Sequence, residues 1–148
     1  MHLRWDSGPG LEITGSGHLD RALDALLSGP ATAGPLIAHL VGESGALGLG
    51  LDPAGGGLLL FAPADRGRPA LHGLGQPHGG DDDLVFSVGG RSHAFSGRCR
   101  VPAQTVRAAA GQYLATGELP RCVAWEPEPD GGRPPRAAAA GGPGLTGW

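Results

Sequence analysis

Two stretches of the chain place apolar residues at the spacing of one helix face. In the first, the apolar positions i, i+3, i+4 and i+7 are Leu19, Ala22, Leu23 and Leu26. Gly29-Pro30 is expected to end this helix. The second stretch begins at Pro102, which suits the first helical position because its missing N–H would be unpaired there. Gly117 fits the left-handed position after a helix and Pro120 prevents continuation, so the pattern predicts two amphipathic helices.

Shorter apolar runs, separated by turn residues, predict an antiparallel sheet. The run 2–13 is interrupted by Gly8-Pro9-Gly10 and is expected to be an edge strand or one arm of a hairpin. Gly89-Gly90 is a good two-residue hairpin turn because both positions can take a positive φ. The other predicted strands are 36–41, 46–51, 57–62, 84–88, 91–96 and 121–125. We therefore expect an α+β fold with an antiparallel sheet of about six strands and two helices packed on one side.

One predicted strand has an unusual pair of faces. Leu47, Leu49 and Leu51 alternate with Gly48 and Gly50, so one face is apolar and the other carries no side chain. Glycine inside a strand marks a bend or a close approach by another group. We therefore expect either a bend or a close approach at the face of Gly48 and Gly50, which is called the bare face below.

Two segments lack the periodicity of helices and strands. Residues 64–83 are rich in Gly, Pro, Arg and Asp and are expected to form a long surface loop. Residues 127–148 have low complexity and too few large apolar side chains to offset the entropy of ordering. The prediction is thus one ordered domain over 1–126 and a disordered tail over 127–148.

Composition narrows the possible partners. The net charge is −3, all of the basic residues are Arg, and there is no basic patch, which argues against nucleic-acid binding. No apolar run approaches the ~20 residues that span a bilayer, so no membrane association is expected. Cys99 and Cys122 are too few for a disulfide framework and are expected to be two buried thiols. A soluble, cytoplasmic protein is the resulting expectation.

The chain lacks the common motifs of catalysis. It has no Cys-x-x-Cys of a zinc deaminase, no P-loop and no Gly-x-Ser-x-Gly nucleophile elbow. We therefore expect no enzyme activity, cofactor, metal or small-molecule substrate. The alternative is a small metal-dependent enzyme in which His72 and His78 bind a metal with Asp81, Asp82 or Asp83, although a solvated polar loop is the preferred interpretation of these residues. A protein-interaction module is a third possibility.

Several ordered motifs resemble one protein family. They are Leu19-Asp20-x-x-Leu23, Leu47-Gly48-Leu49-Gly50, Val101-Pro102-Ala103, Tyr113-Leu114-x-x-Gly117-Glu118-x-Pro120 and Val123-x-Trp125-Glu126. In this order they resemble Imm1-type immunity proteins, which are abundant in actinobacteria and encoded beside polymorphic toxins. The resemblance spans roughly residues 19–126, while the loop 64–83 and the tail depart from it.

The resemblance implies a function that composition alone does not. Such proteins bind a cognate toxin domain, often a nucleic-acid deaminase or nuclease, and block its active site or substrate entry. Carboxylates suit the basic clefts of such toxins and speed encounter. The expected toxin-binding residues are Asp81, Asp82, Asp83, Glu126 and Glu128. Tyr113, Leu114 and Trp125 are expected to hold the core beside them.

Overall fold

The computed structural model of the protein describes residues 1–5, 10–28, 35–75, 83–88 and 91–127. Within these ranges the fold is α+β, as predicted, with nine strands rather than about six. The elements are β1 (His2–Trp5), β2 (Leu11–Glu12), α1 (Ser16–Ser28), β3 (Leu36–Gly42), β4 (Gly45–Leu51), β5 (Gly57–Pro63), β6 (Leu71–Leu74), β7 (Leu84–Val88), β8 (Arg91–Phe95), a 3₁₀ turn (Gly97–Cys99), α2 (Ala103–Thr116) and β9 (Ala124–Pro127). No helix among the described residues is long and apolar enough to cross a membrane.

The strands form one sheet with a branch. The main path is β2-β1-β3-β4-β5-β6-β9, and every neighbouring pair along it is antiparallel. β1 covers β3 only from Ala38 to Val41, so Leu36 remains available and pairs in parallel with Ser87 of β7. The hairpin of β7 and β8 therefore leaves the main sheet at this point.

Both helices pack on one face of the sheet, as predicted. The stripe of α2 buries Val106, Ala109, Ala110 and Tyr113. The helix lies close to the sheet at Gly57 of β5, where a methyl group would lie 2.6 Å from Cγ2 of Val106. The two helices and this face of the sheet share one buried cluster, which is called the helix-face core below.

The opposite face carries a smaller cluster, the hairpin-face core. It consists of Ile37, Leu58, Leu60, Leu84, Phe86 and Cys99. The bare face of β4 lies here, and of the two expected alternatives the close approach is the one that occurs. A methyl group at Gly50 would lie 2.5 Å from Cβ of Leu58, and one at Gly48 would lie 3.1 Å from Cβ of Leu60. The side chains of β5 thus cover the glycines, and the β7–β8 hairpin packs outside them.

The extra strands come from two places. The predicted strand 2–13 is two strands, β1 and β2, which pair with each other. The predicted loop 64–83 was wrong where β6 occurs, because β6 gains its order from pairing with β5 and β9 rather than from its own composition. The last strand was predicted at 121–125 and is instead β9.

The two cysteines differ in exposure. Cys99 is buried and Cys122 is exposed, and both are free thiols, so the prediction of two buried thiols was wrong for Cys122.

Pro127 ends β9 and pairs with Leu71. The rest of the predicted tail, 128–148, and the turn Gly89-Gly90 lie outside the described residues.

Candidate functional site

The expected toxin-binding acids are only partly within the described residues. Asp83 is exposed and directly precedes β7, and Glu126 is half-buried on β9. Asp81, Asp82 and Glu128 lie outside the described ranges, as does His78. The segment that contains Asp81 and Asp82 follows the end of β6 where Leu74 pairs with Ala124, whereas Glu128 follows Pro127 at the other end of the β6–β9 pair. The described parts of β6 and β9 therefore end at opposite ends of this strand pair.

Glu126 lies between a histidine and an arginine. It is opposite His72 in the register of β6 and β9, and Nε2 of His72 is 3.4 Å from Oε1 of Glu126. Nη2 of Arg98 is 3.8 Å from Oε2 of the same carboxylate. These three side chains are called the Glu126 cluster. His72 is only 12% exposed, whereas Arg98 is 64% exposed, so the cluster opens to solvent on the arginine side.

A backbone contact holds Arg98 in place. The N–H of Gly75, just after β6, donates to the carbonyl oxygen of Arg98 at 2.8 Å. A methyl group at Gly75 would lie 1.6 Å from the carbonyl oxygen of Arg100, so only glycine fits at this crossing. The 3₁₀ turn is thus fixed against the end of β6, next to His72 and Glu126.

The chemistry available to the Glu126 cluster is ionic. A charged pair as exposed as Arg98 and Glu126 contributes about 0–1 kcal/mol. Among the described residues no three His, Cys, Asp or Glu side chains converge as metal ligands. Of the residues of the alternative metal site, the structure describes His72 and Asp83, and His72 contacts Glu126. Within the described residues, the Glu126 cluster is thus a set of charged and polar side chains in contact at the surface.

The opposite face of β9 borders a cleft. Trp125 precedes Glu126 and, by strand alternation, points to the helix face, where it packs against the helix-face core. A cleft of about 970 Å³ opens there at the C-terminal end of α2, and we call it the α2 cleft. Its lining is formed by Ser44, Phe61, Pro63, Asp65, Arg68, Pro69, Leu71, Gly117, Glu118, Leu119, Pro120, Arg121, Val123 and Trp125.

The aromatic wall of the cleft is held in a fixed orientation. The indole N–H of Trp125 donates to the carbonyl oxygen of Pro120 at 2.7 Å. The ring of Trp125 meets that of Phe61 edge-on, with centroids 6.5 Å apart and an interplanar angle of 66°. Such a pair favours one arrangement of the rings. The indole therefore presents a defined apolar surface to the cleft.

The end of α2 is fixed by the turn between β3 and β4. Gly117 takes the left-handed conformation, φ 70°, and its N–H donates to the carbonyl oxygen of Tyr113 at 2.7 Å. The hydroxyl of Ser44 donates to the carbonyl oxygen of Gly117 at 2.6 Å, and the hydroxyl of Tyr113 donates to that of Gly45. Helix end and turn thus form one unit, and this wall of the cleft is preformed.

The rim of the α2 cleft carries charges of both signs. Asp65 and Arg68 are paired, with Nε of Arg68 3.9 Å from Oδ2 of Asp65. Glu118 is exposed and follows Gly117 at the end of α2, whose last turn contains no basic residue. A helix C-terminus carries about half a negative charge. The rim is therefore electronegative around Glu118, while Arg121 supplies a positive charge elsewhere in the lining.

Sequence reasoning proposed Glu126 as a site residue but did not indicate its contacts with His72 and Arg98 or the α2 cleft. Trp125 was assigned to the core, which is correct for part of its surface, since it packs against the helix-face core and also lines the cleft. Alternation along β9 could have shown that Trp125 and Glu126 serve opposite faces. Residues 65–71, which form another wall, lie far from β9 in the chain and gave no indication of contact with it.

Comparison with known proteins assigns the chain to a family. The family model described as "Immunity protein Imm1" matches residues 8–127, which include α1, α2 and the strands that carry the Glu126 cluster and the α2 cleft. A search of curated proteins gives no match. The family match covers most of the chain and confirms the resemblance found in the sequence motifs. The chain therefore belongs to the Imm1 family of immunity proteins.

Proposed function

We propose that this protein neutralises a cognate toxin domain by stoichiometric binding, without catalysis of its own. The observation that carries this proposal is the family match over residues 8–127. The toxin is a nucleic-acid deaminase or nuclease, and the protein blocks its active site or the entry of its substrate. It acts in the cytoplasm of the cell that makes the toxin.

The distribution of charge supports a partner with a basic cleft. Acidic residues and arginines are equal in number within the described ranges. The tail 128–148 is also neutral, so the net charge of −3 is carried by Asp6, Asp81 and Asp82. Two of these three adjoin Asp83. Acidic groups concentrated near one segment attract a basic partner and raise the association rate.

The proposed interface includes Asp81, Asp82, Asp83, Glu126 and Glu128. Glu126 has a particular place in it because its carboxylate already contacts His72 and Arg98. A basic group of the toxin must compete with Arg98 for this carboxylate. We therefore expect Glu126 to contribute less to binding than the aspartates, whose contribution falls mainly on the association rate.

Co-expression with the toxin domain encoded beside the gene tests this function. The protein should restore growth of cells that make the toxin, and the two should co-purify in equal amounts. Growth arrest despite full expression of both chains would contradict the proposal. Reversal of Asp81, Asp82 and Asp83 to Arg should slow association at low salt, and an unchanged rate would remove these residues from the interface.

A further inference from the structure

We propose that the α2 cleft receives an apolar side chain of the toxin, with a neighbouring Lys or Arg of the toxin at the C-terminal end of α2. This inference rests on the proposed function, because it names the surface that anchors the same partner. It adds a site on the helix face of β9, opposite the face that carries Glu126. The acidic segment would then govern encounter, and the cleft would govern how long the complex lasts.

The first argument is the apolar surface that the cleft leaves partly open. Leu71, Leu119, Val123 and Trp125 line it and are only partly buried, although each packs against the helix-face core. At about 970 Å³ the cleft is large enough for more than one side chain. Side chains that fill such pockets dominate binding energy at protein interfaces.

The second argument is that the cleft exists before binding. Ser44 and Tyr113 hold the end of α2 against the β3–β4 turn, and Pro120 holds the indole of Trp125. A preformed pocket avoids the cost of ordering side chains during association. An apolar side chain that enters this cleft therefore finds its contacts already in place.

The third argument is charge complementarity beside the apolar wall. Glu118 and the last carbonyls of α2 make this part of the rim electronegative, and Asp65 is already paired with Arg68. A cation favours the C-terminal end of a helix. Arg121 is the other cation of the lining, and it should weaken the attraction for a basic partner. The occupant that fits is thus an apolar residue next to a basic one.

Trp125 provides a probe that needs no change in the cleft. The chain has three tryptophans, so biosynthetic 5-fluorotryptophan gives three ¹⁹F resonances, which single Trp→Phe variants assign. Addition of the catalytically inactivated toxin domain encoded beside the gene should shift the Trp125 resonance and reduce its H₂O/D₂O isotope shift. The Trp5 resonance is the internal control.

Two outcomes of this titration distinguish the inference from the function on which it rests. If calorimetry detects binding while the Trp125 resonance and its isotope shift stay unchanged, the cleft is not the anchor and the inference is overturned alone. If calorimetry detects no binding at all, the proposed function fails and the inference fails with it.

Matched substitutions test the apolar and ionic parts separately. Val123→Asp should weaken binding roughly tenfold or more, whereas Val85→Asp, at a side chain that is 53% exposed on β7, should change it less than about twofold. Glu118→Gln should weaken binding, and Arg121→Gln should strengthen it. Equal effects of the two valine changes, or the same sign for Glu118→Gln and Arg121→Gln, would overturn the proposal. The two Gln variants change exposed side chains, so thermal melting should show them fully folded.

Discussion

The two faces of the sheet use different means to exclude water. The helix face is covered by two helices over a large apolar cluster, and Tyr113 joins that cluster to the β3–β4 turn through its hydroxyl. The hairpin face is covered by the β7–β8 hairpin and by Cys99 of the 3₁₀ turn, and its cluster rests on β5 side chains that cover the glycines of β4. The first face depends on two helices and on the buried ring of Tyr113, and the second depends on the absence of side chains at Gly48 and Gly50 of β4.

This difference extends to the candidate sites. On the helix face, β9 borders the apolar α2 cleft. On the hairpin face, the same strand carries Glu126 and its cluster. One strand therefore presents an apolar anchor on one side and a charged group on the other. Substitutions on each face should show which residues stabilise the fold and which serve in recognition of the partner.

The largest expected effect is at Tyr113 on the helix face. Tyr113→Ala should lower the free energy of unfolding by about 3–5 kcal/mol, because the side chain is fully buried and packs edge-on against Phe61. Tyr113→Phe should cost only about 1–2 kcal/mol, since it removes the hydroxyl but keeps the ring. Urea denaturation measures both. Equal costs would mean that the hydrogen bond to Gly45, rather than packing, secures α2.

A pH effect of similar size is expected on the hairpin face. His39 of β3 shares this face with Ile37, and burial lowers the pKa of His39 from 6.5 to about 4. The unfolded chain therefore binds a proton between these pH values while the folded protein does not. Stability should be complete above pH 6.5 and should fall by about 3 kcal/mol as the pH drops to 4.

Denaturation across this pH range checks the effect of His39. Burial, with a smaller contribution from Arg91, also lowers the pKa of His93 in β8, so His93 adds a loss in the same direction. His39→Gln should flatten the decrease in stability, whatever its effect at neutral pH. A pH dependence that stays unchanged in His39→Gln would assign the decrease to other groups.

A third, smaller effect concerns the glycines of β4. Gly50→Ala should cost about 1–3 kcal/mol, because the new methyl group would lie 2.5 Å from Cβ and 2.9 Å from N of Leu58. Gly111→Ala in α2 is the matched control, since nothing lies within 4 Å of its methyl position. It should stabilise the protein by about 0.5–1 kcal/mol. Thermal melting should show a lower Tm for Gly50→Ala and a higher Tm for Gly111→Ala. A higher Tm for Gly50→Ala would show that β5 can move away from β4.

The same contrast explains what could be predicted from the sequence. α2 was predicted with nearly correct bounds because its stripe, its entry at Pro102 and its end at Gly117 are local features. The close cover of β4 was one of two alternatives that Gly48 and Gly50 predicted, the other being a bend of the strand. β6 was missed because most of its pairing is with β9, which is distant in the chain. The Glu126 cluster and the α2 cleft depend on similar long-range contacts.

The smallest expected effect lies at the Glu126 cluster. Glu126→Gln should change the free energy of unfolding by less than about 1 kcal/mol, because the carboxylate is 42% exposed and Arg98 is 64% exposed. The stabilisation by the ion pair of Arg98 and Glu126 should disappear in high salt, and a double-mutant cycle with Arg98→Gln measures it. Because Glu126 faces away from the α2 cleft, the ¹⁹F resonance of Trp125 should stay in place in Glu126→Gln. A shifted resonance would instead mean that the two faces of β9 are coupled, and that a toxin bound to one of them alters the other.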